Sequence, residues 1–178
     1  MGTDSRPSDI ALLVIDVQKG LFERSTPIHQ ADQVLANINT LISKARRADV
    51  PVIFIQHSNE GTLKYGTAAW KLHPRIQPLP GELLIHKRQG NAFIGTSLGE
   101  ELEKRNIKAL VVTGLVTHGC VKATSLGANE AGYRVRLVSD AHSNYSTDAP
   151  QVIKKWNQIL GSKGAQLIET QDVNFDSP

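Results

Sequence analysis

The stretch ALVVTGLVTHGCVKATSLGANEAGYRVRLV, residues Ala109–Val138, decides the reading of the fold. It opens with Ala109–Thr113, apolar up to its last residue, as expected of a strand buried on both faces. The chain then passes two glycines, Gly114 and Gly119, and reads as helical from Cys120 to Ala131, with Gly132 placed to close the helix in a left-handed conformation. A second β-branched run, Val135–Val138, follows at once. Strand, helix and strand joined this closely form a crossover unit, which sets both strands parallel in one sheet.

The same alternation extends outward in both directions. Ala11–Ile15, ending at Asp16, Val52–Ile55 behind Pro51, and Glu82–Ile85 read as strands upstream; Ala165–Ile168 reads as one downstream. Val34, Leu35, Ile38, Leu41, Ile42 and Ala45 recur at helical spacing, with Arg46 and Arg47 near the helix end. Leu98–Arg105 reads as a helix capped by Thr96 or Ser97, with Ser97 and Glu100 spaced as a capping box. Gln151–Leu160 reads as a helix opened by Pro150 and stopped by Gly161. Between the second and third strands, Ser58–Pro80 is broken by Gly and Pro; it predicts a long ordered loop over the site, with one short helical piece around Trp70. The pattern predicts an α/β fold: a doubly wound, mainly parallel six-stranded sheet with helices on both faces. Residues 1–178 are expected to form a single domain, with tails at about 1–9 and 170–178.

Composition sets the outer limits. With 178 residues, 40% hydrophobic and 21% charged, the chain can build a core and is not of disordered type. A net charge of +3 comes from scattered basic residues without interleaved aromatics, which excludes a nucleic-acid partner from the expectation. The single cysteine forbids an internal disulfide and suits a reducing compartment. No basic segment precedes the first apolar run, and Ile10–Ile15 is too short to span a bilayer, so a cytoplasmic protein without a membrane anchor is expected. Gly114 to Gly119 has the spacing of a phosphate-binding loop, but Cys120-Val121 stands where Lys-Ser/Thr is needed. No G-x-G-x-x-G follows the first strand, so no dinucleotide or other cofactor is expected.

In a doubly wound sheet, ligands bind at the carboxyl ends of the strands. Asp16 follows the first strand, His57 the second and Lys87 the third, while Cys120 lies just past the fourth. A carboxylate, an ammonium and the only thiol are the parts needed to make and use a thiolate. At the start of a helix, Cys120 would gain from the N-terminal dipole, and the same backbone N–H groups could hold an oxyanion. Each residue also has a plain structural reading. Cys120 could be a small buried hydrophobe, Asp16 a turn cap, and Lys87 with Arg88 a solvated basic pair.

Three separate stretches carry a family resemblance: LLVIDVQKG (Leu12–Gly20), HKRQGNAFIGTSL (His86–Leu98) and VVTGLVTHGCVKATSLGANEAGYRVRLVSDA (Val111–Ala141). In order and content the chain resembles the isochorismatase-like cysteine hydrolases, whose members include nicotinamidases, N-carbamoylsarcosine amidohydrolases and isochorismatase itself. The resemblance implies the isochorismatase-like hydrolase fold and a catalytic triad of Asp16, Lys87 and Cys120. It also implies a non-proline cis peptide between Leu115 and Val116, with an oxyanion hole made by the N–H groups of Val116 and Cys120. The implied activity is hydrolysis of a small non-peptide carbon–nitrogen bond through a thioester. Two alternatives stay open: cleavage of a vinyl ether on the same fold, and a binding member without catalysis. A homodimer or homotetramer acting on a small-molecule substrate is implied as well.

One departure from the family pattern stands out. Where nicotinamidases carry an Asp-x-His metal pair, this chain reads Gln56-His57-Ser58-Asn59, so no metal is expected. The one Asp-x-His here, Asp140-Ala141-His142, reads as turn chemistry after the fifth strand. Phe22, His57, Tyr65, Trp70 and His118 are the candidate substrate contacts, and Phe93 fits the core equally well. Gly90 and Asn91 are expected to shape the turn after Lys87.

Overall fold

The innermost element is a strand with no exposed face: β1, Ile10–Ile15, is buried at every position. Successive side chains of a strand point to opposite sides of the sheet, so β1 feeds two cores. Ile10, Leu12 and Val14 pack on one face with helix α2 (Ala31–Arg47); Ala11, Leu13 and Ile15 pack on the other with α3 (Leu98–Lys104) and α4 (Lys122–Glu130). The computed structural model describes residues 9–175; the outer parts of both expected tails, 1–8 and 176–178, lie outside the described residues.

On either side of β1 run β2 (Val52–His57) and β4 (Ala109–Leu115). Beyond them lie β3 (Leu83–Lys87), β5 (Arg134–Ser143) and β6 (Gln166–Ile168), giving the order β3-β2-β1-β4-β5-β6 with every pair parallel. The chain builds outward from β1 to β3, then returns to start again at β4 on the other side of β1. The crevice between β1 and β4 is therefore the switch point where such sheets bind ligands. A four-residue helix α1 (Lys19–Phe22) and a long helix α5 (Ala149–Ser162) complete the set. Among the described residues, no helix is long and apolar enough to cross a membrane.

The periodicity of α2 is met residue for residue: Val34, Leu35, Ile38, Leu41, Ile42 and Ala45 are its buried face. Gly132 closes α4 at φ +88°, and the bonds Tyr133 N–H to Ala128 O and Gly132 N–H to Asn129 O satisfy the last carbonyls.

Several boundaries move, each for a local reason. Ser97 makes no side-chain cap, because its φ −86°, ψ 5° is not the extended conformation a cap requires; Thr96 Oγ1 accepts the Leu98 N–H instead. Helix α5 runs through Gly161, and its left-handed stop is Gly164 at φ +104°. Helix α4 begins at Lys122, because Cys120 sits in a wide turn, Thr117–Val121, kinked at Gly119. The loop over residues 58–80 holds turns but no helix at Trp70.

The largest change concerns β5, which runs five residues past its expected end, to Ser143. Ser139 and Asp140 hide this extension by breaking the apolar pattern. The Asp140 carboxylate is engaged from outside the strand, accepting from the N–H and hydroxyl of Thr170. Residues 170–175 are accordingly docked: Val173 and Phe175 enter the α2-side core, and Lys44 Nζ donates to the carbonyls of Thr170, Gln171 and Val173 at 2.9–3.0 Å.

Candidate active site

Three chain segments end together at the switch point. Asp16 leaves β1 at φ +50°, its N–H still bonded to Ile55 O of β2 at 2.8 Å. Lys87 is the last residue of β3, not a residue beyond it. Strand β4 passes through Gly114 at φ +119°, where a Cβ would sit 2.1 Å from Ile15 O; only glycine allows the strand this close to β1. The expected cis peptide joins Leu115 to Val116, and the turn holding Cys120 follows.

The side chains converge on one ammonium. Lys87 Nζ lies 2.9 Å from Asp16 Oδ2, 3.1 Å from Cys120 Sγ, 3.1 Å from His57 Nδ1 and 3.1 Å from Gln89 O. Asp16 and Lys87 are both 2% exposed, so the solvated-pair reading of Lys87 does not hold. Their charges are compensated only by each other and by these hydrogen bonds. Asp16 Oδ1 is buried without a hydrogen-bond partner, and a carboxylate oxygen of Asp16 lies within 4.8 Å of Cys120 Sγ.

The electrostatics correct one expectation. Burial first, then the neighbouring Asp16 carboxylate, push the Cys120 thiol up to about 12, and the Lys87 ammonium only partly offsets them. The resting sulfur is a thiol, and the helix-dipole argument fails because the regular helix starts two residues later. Burial also raises the Asp16 carboxyl above the usual carboxylate range, with Lys87 pulling against it. His57 is lowered by burial and by Lys87, which favours the neutral ring.

Asp16, His57 and Cys120 each offer a donor atom within 4.8 Å of the others, the spacing of a metal site. The position between them is already taken by the Lys87 ammonium, which contacts all three at 3.1 Å or less. A divalent ion there would face a fixed positive charge, so the set does not fit a metal.

The candidate substrate contacts divide. A cleft of about 580 Å³ opens beside Lys87, lined by Ser58, Tyr65, His86, Arg88, Gln89 and Ile94; of the five candidates only Tyr65, 62% exposed, belongs to it. Trp70 stands behind, its ring 4.6 Å from Tyr65 and 4.9 Å from His86, with Nε1 bonded to Ser58 Oγ. Phe22 packs against His73 at 4.6 Å, away from this cleft's lining. His118 packs edge-on against Tyr145. His57 belongs to the Lys87 cluster. Phe93 stacks on Tyr133 at the core, and Asn91 shapes its turn, filling the space left by Gly127 and accepting the Phe93 N–H.

Two residues at this site were not singled out from sequence. Gln18, fully buried, accepts the His57 N–H and donates to the carbonyls of His57 and Trp70, tying β1, β2 and the loop together. Its position two beyond Asp16 in LLVIDVQKG was the available signal. The second, Gln89, acts through its carbonyl, which no side-chain pattern reveals.

Comparison with known proteins agrees with this architecture. A family model for the isochorismatase domain matches residues 10–172. A streptothricin hydrolase of Streptomyces noursei is 36% identical, covering 88% of this chain; the chain spans 63% of that protein's length. Nicotinamidase 3 of Arabidopsis thaliana is 30% identical, covering 78% of this chain and 75% of its own. The crystal structure of an isochorismatase from Pseudomonas putida KT2440 superposes with a TM-score of 0.86 at 27% identity, covering 97% of this chain and 94% of that one. With the matched domain spanning β1 to the turn after β6, the chain belongs to the isochorismatase family.

Proposed function

We propose that this protein is a cysteine hydrolase that cleaves a small, non-peptide carbon–nitrogen bond. The observation that carries the reading is the placement of Lys87 Nζ, nearly equidistant from Asp16 Oδ2 and Cys120 Sγ in a buried cluster. At rest the ammonium faces a carboxylate and a neutral thiol. After proton transfer it faces a neutral acid and a thiolate. The net charge of the cluster is the same in both states, so the lysine stabilises the anion wherever it resides. This overcomes the high resting position of the thiol without exposing a free thiolate.

Catalysis then proceeds in two halves. Asp16 accepts the Cys120 proton as sulfur forms a bond to the substrate carbonyl carbon, and the N–H groups of Val116 and Cys120 hold the oxyanion. The tetrahedral adduct expels the amine, which leaves with the proton from Asp16, and a thioester remains. Water attacks the thioester, its proton passing to Asp16; the acid product departs and the thiol is restored. The names of the relatives, a streptothricin hydrolase and a nicotinamidase, support the choice of a carbon–nitrogen bond.

The test is a screen of purified protein for ammonia release from small carboxamides and ureido compounds and for ring opening of lactams, followed by mass spectrometry for an acyl group on Cys120. An acylated Cys120, and activity that rises with pH through a raised Asp16 titration, are the expected results. Carbon–nitrogen cleavage that persists in Cys120→Ala would overturn the thioester scheme, and a vinyl ether cleaved where every amide is refused would place the chemistry with that alternative.

A further inference from the structure

His142 takes no part in the chemistry above, yet it is 1% exposed and lies directly beneath the Cys120 turn. Its Nδ1 is 2.9 Å from Thr117 Oγ1, and Thr117 is itself fully buried at the first position of that turn. Its Nε2 is 2.8 Å from Asn157 Oδ1, on α5. Asn157 Nδ2 faces Ser139 O, which leaves the amide oxygen directed at the ring. An amide oxygen only accepts, so Nε2 carries the proton and Nδ1 is a bare lone pair; Thr117 must donate to it. The chain runs one way: Thr117 hydroxyl to His142, His142 to Asn157, Asn157 to the β5 backbone.

The sheet brings these groups together through an irregularity. The pairing of β4 with β5 shifts register between Val112 and Gly114, after which Gly114 lies opposite His142 and Leu115 opposite Ser143. Gly114 is pressed against the Ile15 backbone, so the strand end is fixed on both sides. Beyond it, the N–H groups of Gly119 and Val121 wrap onto Val116 O, and Thr117 is the next residue. A rotation at Thr117 would therefore swing the Val116 amide on one side and the Cys120 amide on the other.

We propose that His142, braced by Asn157, is a positioning residue that fixes the Cys120 turn through Thr117 and so sets the direction of the Val116 and Cys120 N–H groups. Its catalytic consequence rests on the hydrolase reading above; its structural content does not.

Two reagents separate the roles. p-Nitrophenyl acetate acylates the thiol, releasing p-nitrophenol as the thioester forms, and needs the oxyanion contacts. Iodoacetamide alkylates sulfur by displacing iodide and does not. In Thr117→Val, acylation should fall about tenfold or more while alkylation stays within about twofold, because misdirected donors act only on the first reaction. Thr117→Ser, which keeps the hydroxyl, should restore acylation. Equal slowing of both reactions, or of neither, overturns the proposal. A wild-type protein that p-nitrophenyl acetate does not acylate counts against the hydrolase reading alone, and nitrogen NMR then decides. The His142 ring must carry its proton on Nε2, and Thr117→Val must shift the Val116 and Cys120 amide signals; a proton on Nδ1, or unmoved signals, overturns the positioning role.

Discussion

Two buried polar clusters lie against the Cys120 turn, and they are built on opposite terms. One, formed by Asp16, Lys87, His57 and Cys120, holds a full ion pair, an unpartnered carboxylate oxygen and a thiol pushed up to about 12. The other, formed by Thr117, His142 and Asn157, carries no charge and pairs both ring nitrogens of His142. A satisfied network gains rigidity from a low-dielectric interior, whereas an unsatisfied one stores a demand that only another group can meet. On the proposed mechanism the contrast divides chemistry from support: protons move where the accounts are left open, and geometry is held where they are closed.

The sharpest way to break this contrast is Cys120→Ala. Turnover should fall by at least roughly 10³-fold, as for a removed nucleophile. Thermal unfolding should shift little, because Cys120 is not fully buried and its neutral thiol is not a partner in the Asp16–Lys87 ion pair. A large loss of stability with residual activity would make Cys120 a packing residue.

Next in size is Lys87→Met, which leaves the Asp16 carboxylate buried and unpaired and should cost about 3–5 kcal/mol in denaturant unfolding. Pairing it with Asp16→Asn should return part of that stability but none of the activity. If the double variant is no more stable than Lys87→Met, the two charges are not energetically coupled.

The neutral cluster predicts a pH effect of roughly 3 kcal/mol. His142 is held down to about 4, chiefly by burial, against an ordinary value of 6.5. Between these values the unfolded chain binds more protons than the folded one, so this contribution is complete above about 6.5 and is lost as pH falls toward 4. Denaturation midpoints of His142→Asn should show a flatter slope across that window than the wild type. Parallel slopes would mean that the ring is already charged in the fold.

The smallest effect tests a third arrangement, a charge satisfied wholly by carbonyls. Lys44→Met removes three hydrogen bonds to the segment around residues 170–173 and should destabilise by about 1–3 kcal/mol. Limited proteolysis should find that segment cut sooner, and an unchanged cleavage rate would show that Val173 and Phe175 hold it without the lysine.

Reading by pattern succeeded where the signal was local. Apolar runs marked every strand, and helical spacing marked the buried face of α2, because burial on a regular element leaves a regular imprint. The motif around Leu12–Gly20, with those at His86–Leu98 and Val111–Ala141, placed Asp16, Lys87 and Cys120 at strand ends that the fold brings together. Failures came where partners arrive from far along the chain. Asp140-Ala141-His142 read as a turn because nothing nearby revealed that Thr170 would satisfy the aspartate, or that Thr117 and Asn157 would enclose the histidine. The aromatic candidates were chosen by nearness in sequence, and only Tyr65 lines the cleft beside Lys87.

The amino-acid sequence alone determined the sheet, its helices and the identity of the groups at its carboxyl edge, since these follow from hydrophobic period and residue chemistry. Tertiary structure decided their protonation: a thiol at rest, a neutral His142, and a lysine where a metal would otherwise fit. Ionisation depends on solvent exclusion and on charges a few ångströms away through space, and neither quantity exists until distant segments have packed.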